Sequence, residues 1–216
     1  MKKTIAALCA LLLVCCLAVS ACAEERVSNL YGPNPSETLK ALLGGKSFDA
    51  RIAGYASTGE DEDAKFTVTV TVCERDRFAP EAIENLAVHD ILTFGDGTSI
   101  MVMEATPDEY GVTVKDGFGN GYYFFKAEDG EAYIATTETE YPLWTEIFTV
   151  KVPLAKDISF LDWSDPENLT APVQLGFGEL LDHLLNNTDF TPNNTRLTFD
   201  ADGKLVEFLY SYSPWN

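Results

Sequence analysis

The residues that could do chemistry are few in kind. Histidine occurs only at His89 and His183, so neither a three-histidine zinc site nor the H-E-x-x-H pattern can be built. A serine triad would have to recruit one of these two, and no G-x-S-x-G elbow presents a nucleophile. His183 flanks the apolar stripe of a candidate helix and reads as a packing residue that touches solvent, while His89, before Asp90, reads as a turn residue. Two phosphate motifs fail on spacing. Gly45-Lys46-Ser47 ends like a P-loop, but the first glycine of that motif falls on Lys40. Gly117-Phe118-Gly119-Asn120-Gly121 is not the dinucleotide fingerprint, because Tyr122 stands at the last glycine position and the residues that follow are strand-like.

Carboxylates are abundant. Asp162 and Asp165 flank Trp163, an aromatic platform beside acids that suits a sugar. A glycosidase needs two carboxyl groups about 5 to 9.5 Å apart across one cleft, and spacing along the chain does not place them so. An acidic loop with a half-buried Trp is the simpler reading. Asp200-Ala201-Asp202-Gly203 begins like a calcium loop, which makes Asp200 and Asp202 weak metal candidates. The EF-hand spacing fails, no Glu stands at the bidentate position, and a hairpin turn between two apolar runs explains the segment. Glu60 to Asp63 is a second acidic cluster, read as a solvated loop. Cys73 falls on the polar parity of its strand, a partly covered thiol with nothing nearby to activate it. No catalytic residue, resident metal or cofactor is therefore assigned.

Aromatic residues carry the one binding signal. Tyr122, Tyr123, Phe124 and Phe125 are consecutive, and in a strand successive side chains point to opposite faces, so two must lie on each side. Either both faces are covered or one pair is presented. Tyr122, Tyr123, Trp144 and Trp163 are the ligand-binding candidates, and Trp215 could join them, with burial in a core as the plainer alternative.

The N-terminus addresses the chain for export. Lys2 and Lys3 precede an uncharged, mostly Leu, Ala, Val and Cys stretch that ends in small residues, the order of a secretory signal peptide. The stretch reaches the roughly 20 residues that span a bilayer, so an uncleaved anchor is the alternative. Val19-Ser20-Ala21-Cys22 resembles the lipobox of bacterial lipoproteins. That resemblance covers the N-terminus only and implies lipidation at Cys22 after removal of 1–21. Ala21-Cys22-Ala23 is also a small-x-small site for ordinary cleavage before Glu24. Segment 22–36, with Gly32, Pro33 and Pro35, reads as a tether. Cys9, Cys15 and Cys16 leave with the signal, so no disulfide framework remains and the domain must be held by its own core.

Charge narrows the partners. The chain has 15 basic and 34 acidic residues, a net of −19, a field that repels phosphate backbones and anionic lipid. Nucleic acid is excluded as an expected partner, and membrane attachment has to come from the N-terminal lipid or anchor.

The elements that must position these residues are mostly strands. Phe66, Val68, Val70 and Val72 alternate with Lys65, Thr67, Thr69 and Thr71, a period of two in β-branched and aromatic residues. Further strands are expected over 48–57, 99–105, 110–115, 121–127, 132–137, 144–154, 197–200 and 205–212. Asp96-Gly97, Asp116-Gly117, Asp129-Gly130 and Asp202-Gly203 mark turns. Helices are expected over 36–43, 80–86 and 177–185, the last with Phe177, Leu180, Leu181, Leu184 and Leu185 on one stripe. The class is mainly β, an antiparallel sandwich or partly open barrel with two or three short packed helices. Residues 37–216 form one domain, with an irregular stretch at 153–172 as a possible sub-unit boundary. The function expected is an exported, envelope-attached or secreted binding module for a protein or a glycan. A carboxylate-dependent hydrolase and a structural or inhibitory domain are the rivals.

Overall fold

The computed structural model describes residues 35–59, 65–168, 170–186 and 188–214. The signal segment, Cys22 and most of the tether, the acidic cluster 60–63 and Trp215 lie outside them. Among the described residues no helix is long and apolar enough to cross a membrane.

Alternation builds the first body. In β2 (Lys65–Arg75) Val68, Val70 and Val72 are fully buried. They face Val150, Val152 and Leu154 of β9 (Trp144–Trp163), Ala50 of β1 (Ser47–Thr58), and Leu197 and Phe199 of β11 (Thr195–Phe199). Leu205 and Phe208 of β12 (Leu205–Ser211) complete the ring of inward residues. Burying each such side chain is worth about 1.5 to 3 kcal/mol, so this face defines the register. The hydrogen-bonded order β9-β12-β11-β1-β2 closes because β2 also pairs with β9. Every contact in the ring is antiparallel except β9 with β12. This order, with one parallel pair, is that of a five-stranded Greek-key barrel of the OB type, an architecture that hosts many activities and so assigns none. Short β10 (Val173–Leu175) extends the sheet beyond β9.

Among the described residues two helices pack on this barrel. In α3 (Phe177–Leu185) Leu180 and Leu184 are buried, with Phe177 and Leu181 packed beside them, so four residues of the expected stripe form the docked face, while Leu185, the fifth, is exposed at the end of the helix. The helix α1 (Pro35–Leu43) sends Leu43 into the same core.

The first part of the stretch 153–172, to Trp163, is strand where an irregular segment was expected, while the described residues of 164–172 are irregular. β9 runs unbroken for 20 residues to Trp163. Leu154 is the residue at which β9 changes partner, pairing with Phe66 of β2 and with Leu205 of β12. Proline removes a ladder donor, and Pro153 stands one residue before this hand-over, where the strand must bend in any case.

The second body grows from one hairpin end. Arg75 and Trp144 are cross-strand partners, and everything between them is inserted there. After β3 (Arg77–Phe78) and α2 (Pro80–Glu84) come β4 (Ile91–Thr93), β5 (Ser99–Pro107), β6 (Gly111–Asp116), β7 (Gly121–Lys126) and β8 (Tyr133–Thr137). The sheet order is β3-β8-β7-β6-β5-β4, a meander with β3 added at the far edge. Its core is separate, with Val102, Val114 and Phe124 fully buried and Ile83 of α2 against them. The two apolar clusters therefore divide at the ends of the insert and not within 153–172.

Aspartates close the turns. Asp96, Asp108, Asp129 and Asp200 each accept the backbone N–H two residues on, and Gly97, Gly130 and Gly203 supply the positive φ of their turns. In the β6–β7 turn the positive φ falls on Gly119 instead of Gly117. There Asp116 accepts the N–H groups of Phe118 and Asn120 and the Asn120 side-chain amide, all at 2.8 Å. The Asn120 amide first, and the backbone N–H groups with it, hold the Asp116 carboxyl below the usual carboxylate range. A folded pKa below the unfolded value stabilises above the unfolded value and is lost as pH falls through the folded one. The turn is expected to open only in strong acid. Amide protection at Phe118 and Asn120, taken relative to the intrinsic exchange rate at each pH, should persist through the ordinary carboxylate range, fall only in stronger acid, and be lost at every pH in Asp116→Ala.

Candidate functional site

Strand β7 divides its aromatic residues as the parity rule requires. Tyr122 and Phe124 turn into the insert core, where Tyr122 lies 5.2 Å from the Phe94 ring. Tyr123 and Phe125 turn to the other face, half-buried and stacked at 6.2 Å and 19°. The Tyr123 hydroxyl donates to Asp108 at 3.1 Å. One pair is thus core and the other lies on the face that no helix among the described residues covers.

That face looks back at the barrel. Phe125, Ile134 and Arg77 form one wall of a cleft of about 840 Å³. The opposite wall is the outer surface of the barrel, where register sets Arg196, Asp49 and Cys73 side by side, with Glu146 next in the row. Arg75 and Glu74 stand at the rim, with Lys126, Glu128 and Asp129 across from them. The cleft therefore carries four acidic and four basic side chains over an apolar floor, in a chain where acids outnumber bases 34 to 15.

The charges differ in how they are engaged. Arg77 Nη2 lies 2.7 Å from Asp129. Arg196 stands 3.9 Å from Asp49, beyond hydrogen-bond length. Burial raises the Asp49 carboxyl, with Arg196 and Arg75 pulling it back. Arg75 makes no ion pair within 4 Å among the described residues; its guanidinium lies 5.2 Å over the Trp144 ring. Trp144 is in turn held by its indole N–H, which donates to Asn193 Oδ1 at 2.7 Å.

Cys73 is more covered than its parity implied, at 3% exposed, because the inserted sheet shields the outer face of β2 at its end. Burial, then the Glu146 charge, pushes its thiol up to about 11. A thiol this protonated is a poor nucleophile. With the chain folded at pH 8, peptide mapping after brief iodoacetamide treatment should find Cys73 unmodified, and modified once denaturant is added.

The remaining candidates lie elsewhere. No protein family, curated protein or solved structure matches this chain. The site must therefore be read from its own geometry. Trp144 and Trp163 sit at the two ends of β9, so only Trp144 reaches the cleft rim. The Trp163 indole N–H is buried with no hydrogen-bond partner among the described residues. Asp162 accepts from the Ser164 N–H and hydroxyl, and Asp165 from the Glu167 N–H, so each acid closes its own turn. His183 packs among the rings of Phe160, Tyr210 and Phe190. Its Nδ1 is 3.1 Å from the Thr188 hydroxyl, but Asp162 is 3.9 Å from Nε2, too far to orient it. Asp200 accepts the N–H groups of Asp202 and Lys204 in the β11–β12 turn, and Asp202 pairs with Lys40 at 2.8 Å. Among the described residues no cluster of three His, Cys, Asp or Glu could hold a metal ion.

Sequence reasoning missed the arginines. Arg75, Arg77 and Arg196 are distant in sequence or unremarkable in pattern, and only the pairing of Asp49 with Arg196 brings β11 to the cleft. The available signal was Trp144 as an aromatic partner for a cation.

Proposed function

We propose that this chain is an exported, envelope-attached binding module that takes a protein or glycan ligand in the cleft between the barrel and the inserted sheet. The observation that carries the reading is the half-buried Tyr123–Phe125 stack, which continues an apolar face into a cleft of ligand size. Small-ligand sites span roughly 300 to 1,000 Å³ with a few convergent polar groups on an apolar lining. Recognition needs no activated nucleophile, and Asp162 and Asp165, the acids the sequence singled out beside Trp163, lie outside the cleft and each close their own turn.

A thermal-shift panel of cell-wall fragments, oligosaccharides and calcium tests the reading. At least one wall-derived ligand should raise Tm, and Phe125→Ala should abolish that shift while leaving the protein folded. If no ligand moves Tm, the binding reading fails. Attachment is tested separately: fatty-acid labelling that disappears in Cys22→Ala supports a lipoprotein, and an unlabelled mature chain starting at Glu24 replaces it with a free secreted protein.

A further inference from the structure

We propose that the cleft recognises a saccharide bearing carboxylate groups, a uronic-acid oligosaccharide in kind, with Arg75 and Arg196 receiving the carboxylate. This rests on the binding reading above and narrows its ligand to one class.

Arginine and lysine are segregated in this chain. All four described arginines gather at the waist between the two bodies: Arg75, Arg77 and Arg196 line the cleft, and Arg51 pairs with Glu146 at 2.8 Å beside it. Of the described lysines only Lys126 lines it. Solubility does not require this sorting, since either residue would serve. Recognition of a carboxylate does, because the guanidinium offers a planar fork that meets both oxygens and stacks on rings.

Arg75 is the cation prepared for that task. Trp144 supports one face of its guanidinium, and among the described residues no carboxylate pairs with the fork within 4 Å. Arg196 is only loosely matched to Asp49, so a ligand carboxylate could improve its hydrogen bonding. The acids favour a sugar over an acidic peptide. Glu74 and Glu128 line the cleft without an ion pair among the described residues, and they present acceptors that sugar hydroxyls satisfy as donors. An acidic peptide brings more carboxylates and few donors. The wall of Phe125 and Ile134 offers an apolar surface to the C–H face of a sugar ring. A bare five-stranded barrel has no such second wall.

The test is calorimetric titration of the full chain with trigalacturonate, maltotriose and triglutamate, at low and high salt. Trigalacturonate should bind and weaken as salt rises. Arg75→Gln should lower its affinity about tenfold or more, and Arg75→Lys nearly as much, because the ring-stacked fork is lost although the charge remains. Arg75 is exposed, and an unchanged Tm shows that each variant is folded. Equal binding of maltotriose overturns carboxylate recognition and leaves the binding module intact. Equal binding of triglutamate, with the same dependence on Arg75, overturns the saccharide. If wall fragments bind but none of the three does, the proposal fails alone; if nothing binds, the functional reading fails with it.

Discussion

Phe208→Ala is expected to destabilise the chain by about 3 to 5 kcal/mol, the range for removing a large aromatic side chain from a closed core. Phe208 is fully buried where β12 meets β9, with its ring 5.8 Å from Phe160 and 4.9 Å from Phe190. The three rings fix one another, so the cavity cannot collapse by a simple rotamer change. Urea denaturation followed by tryptophan fluorescence measures the loss. Phe124→Ala removes an equally buried ring from the insert. If the bodies unfold as one unit, both variants shift the same transition. If they unfold separately, Phe124→Ala moves a transition that Phe208→Ala leaves in place.

Asp76→Ala should have the next largest effect, about 3 kcal/mol, since hydrogen bonds to a charged group are worth roughly 1.5 to 3 kcal/mol each and their donors would be stranded. Asp76 is 6% exposed, between the last residue of β2 and the first of β3. One carboxylate oxygen accepts the Gly95 N–H at 2.9 Å, and the other accepts the Thr145 hydroxyl of β9. It therefore ties the insert to the barrel at the point where the chain crosses. Asp76→Asn retains one acceptor oxygen and should lose about half as much. Gly95→Ala probes the same knot from the other side, because its methyl group would press on the Thr145 and Asp76 side chains. Each variant should also weaken whatever binds in the cleft, since Arg75 is the next residue. An unchanged denaturation midpoint in Asp76→Ala would show that the junction is not held in this way.

The two predictions touch features of different legibility. The inward row of β2 was readable because its period is local: Val68, Val70 and Val72 had to share one side. The same held for Leu180, Leu181 and Leu184 of α3 and for the Asp-Gly turns at 96–97, 129–130 and 202–203, whose chemistry lies within two or three residues. The short strands β3, β4 and β10 were not readable, because each is two or three residues long and exists through its partner. The reach of β9 beyond Leu154 was hidden because the run holding Asp157, Asp162, Asp165, Pro166 and Glu167 has no strand period, and the change of partner at Leu154 that extends the strand is not local.

The candidate site divides in the same way. That two of the four aromatic residues at 122–125 must face away from the other two followed from strand geometry. Which pair was covered depended on α2 and Phe94 arriving on one side of the sheet. The sequence by itself determined a β-rich chain with acidic, aspartate-closed turns, one strongly amphipathic helix and no motif for metal, phosphate or nucleophilic chemistry. Tertiary structure alone decided that the sheet closes through β9, that the chain between Arg75 and Trp144 builds a second core, and that arginines from β2, β3 and β11 meet across one cleft. The reason is range. Period and turn chemistry are set by neighbours along the chain, whereas strand partnership and the meeting of two outer faces are set by residues as far as 151 positions apart, whose pairing depends on how well the buried sides fill a common core.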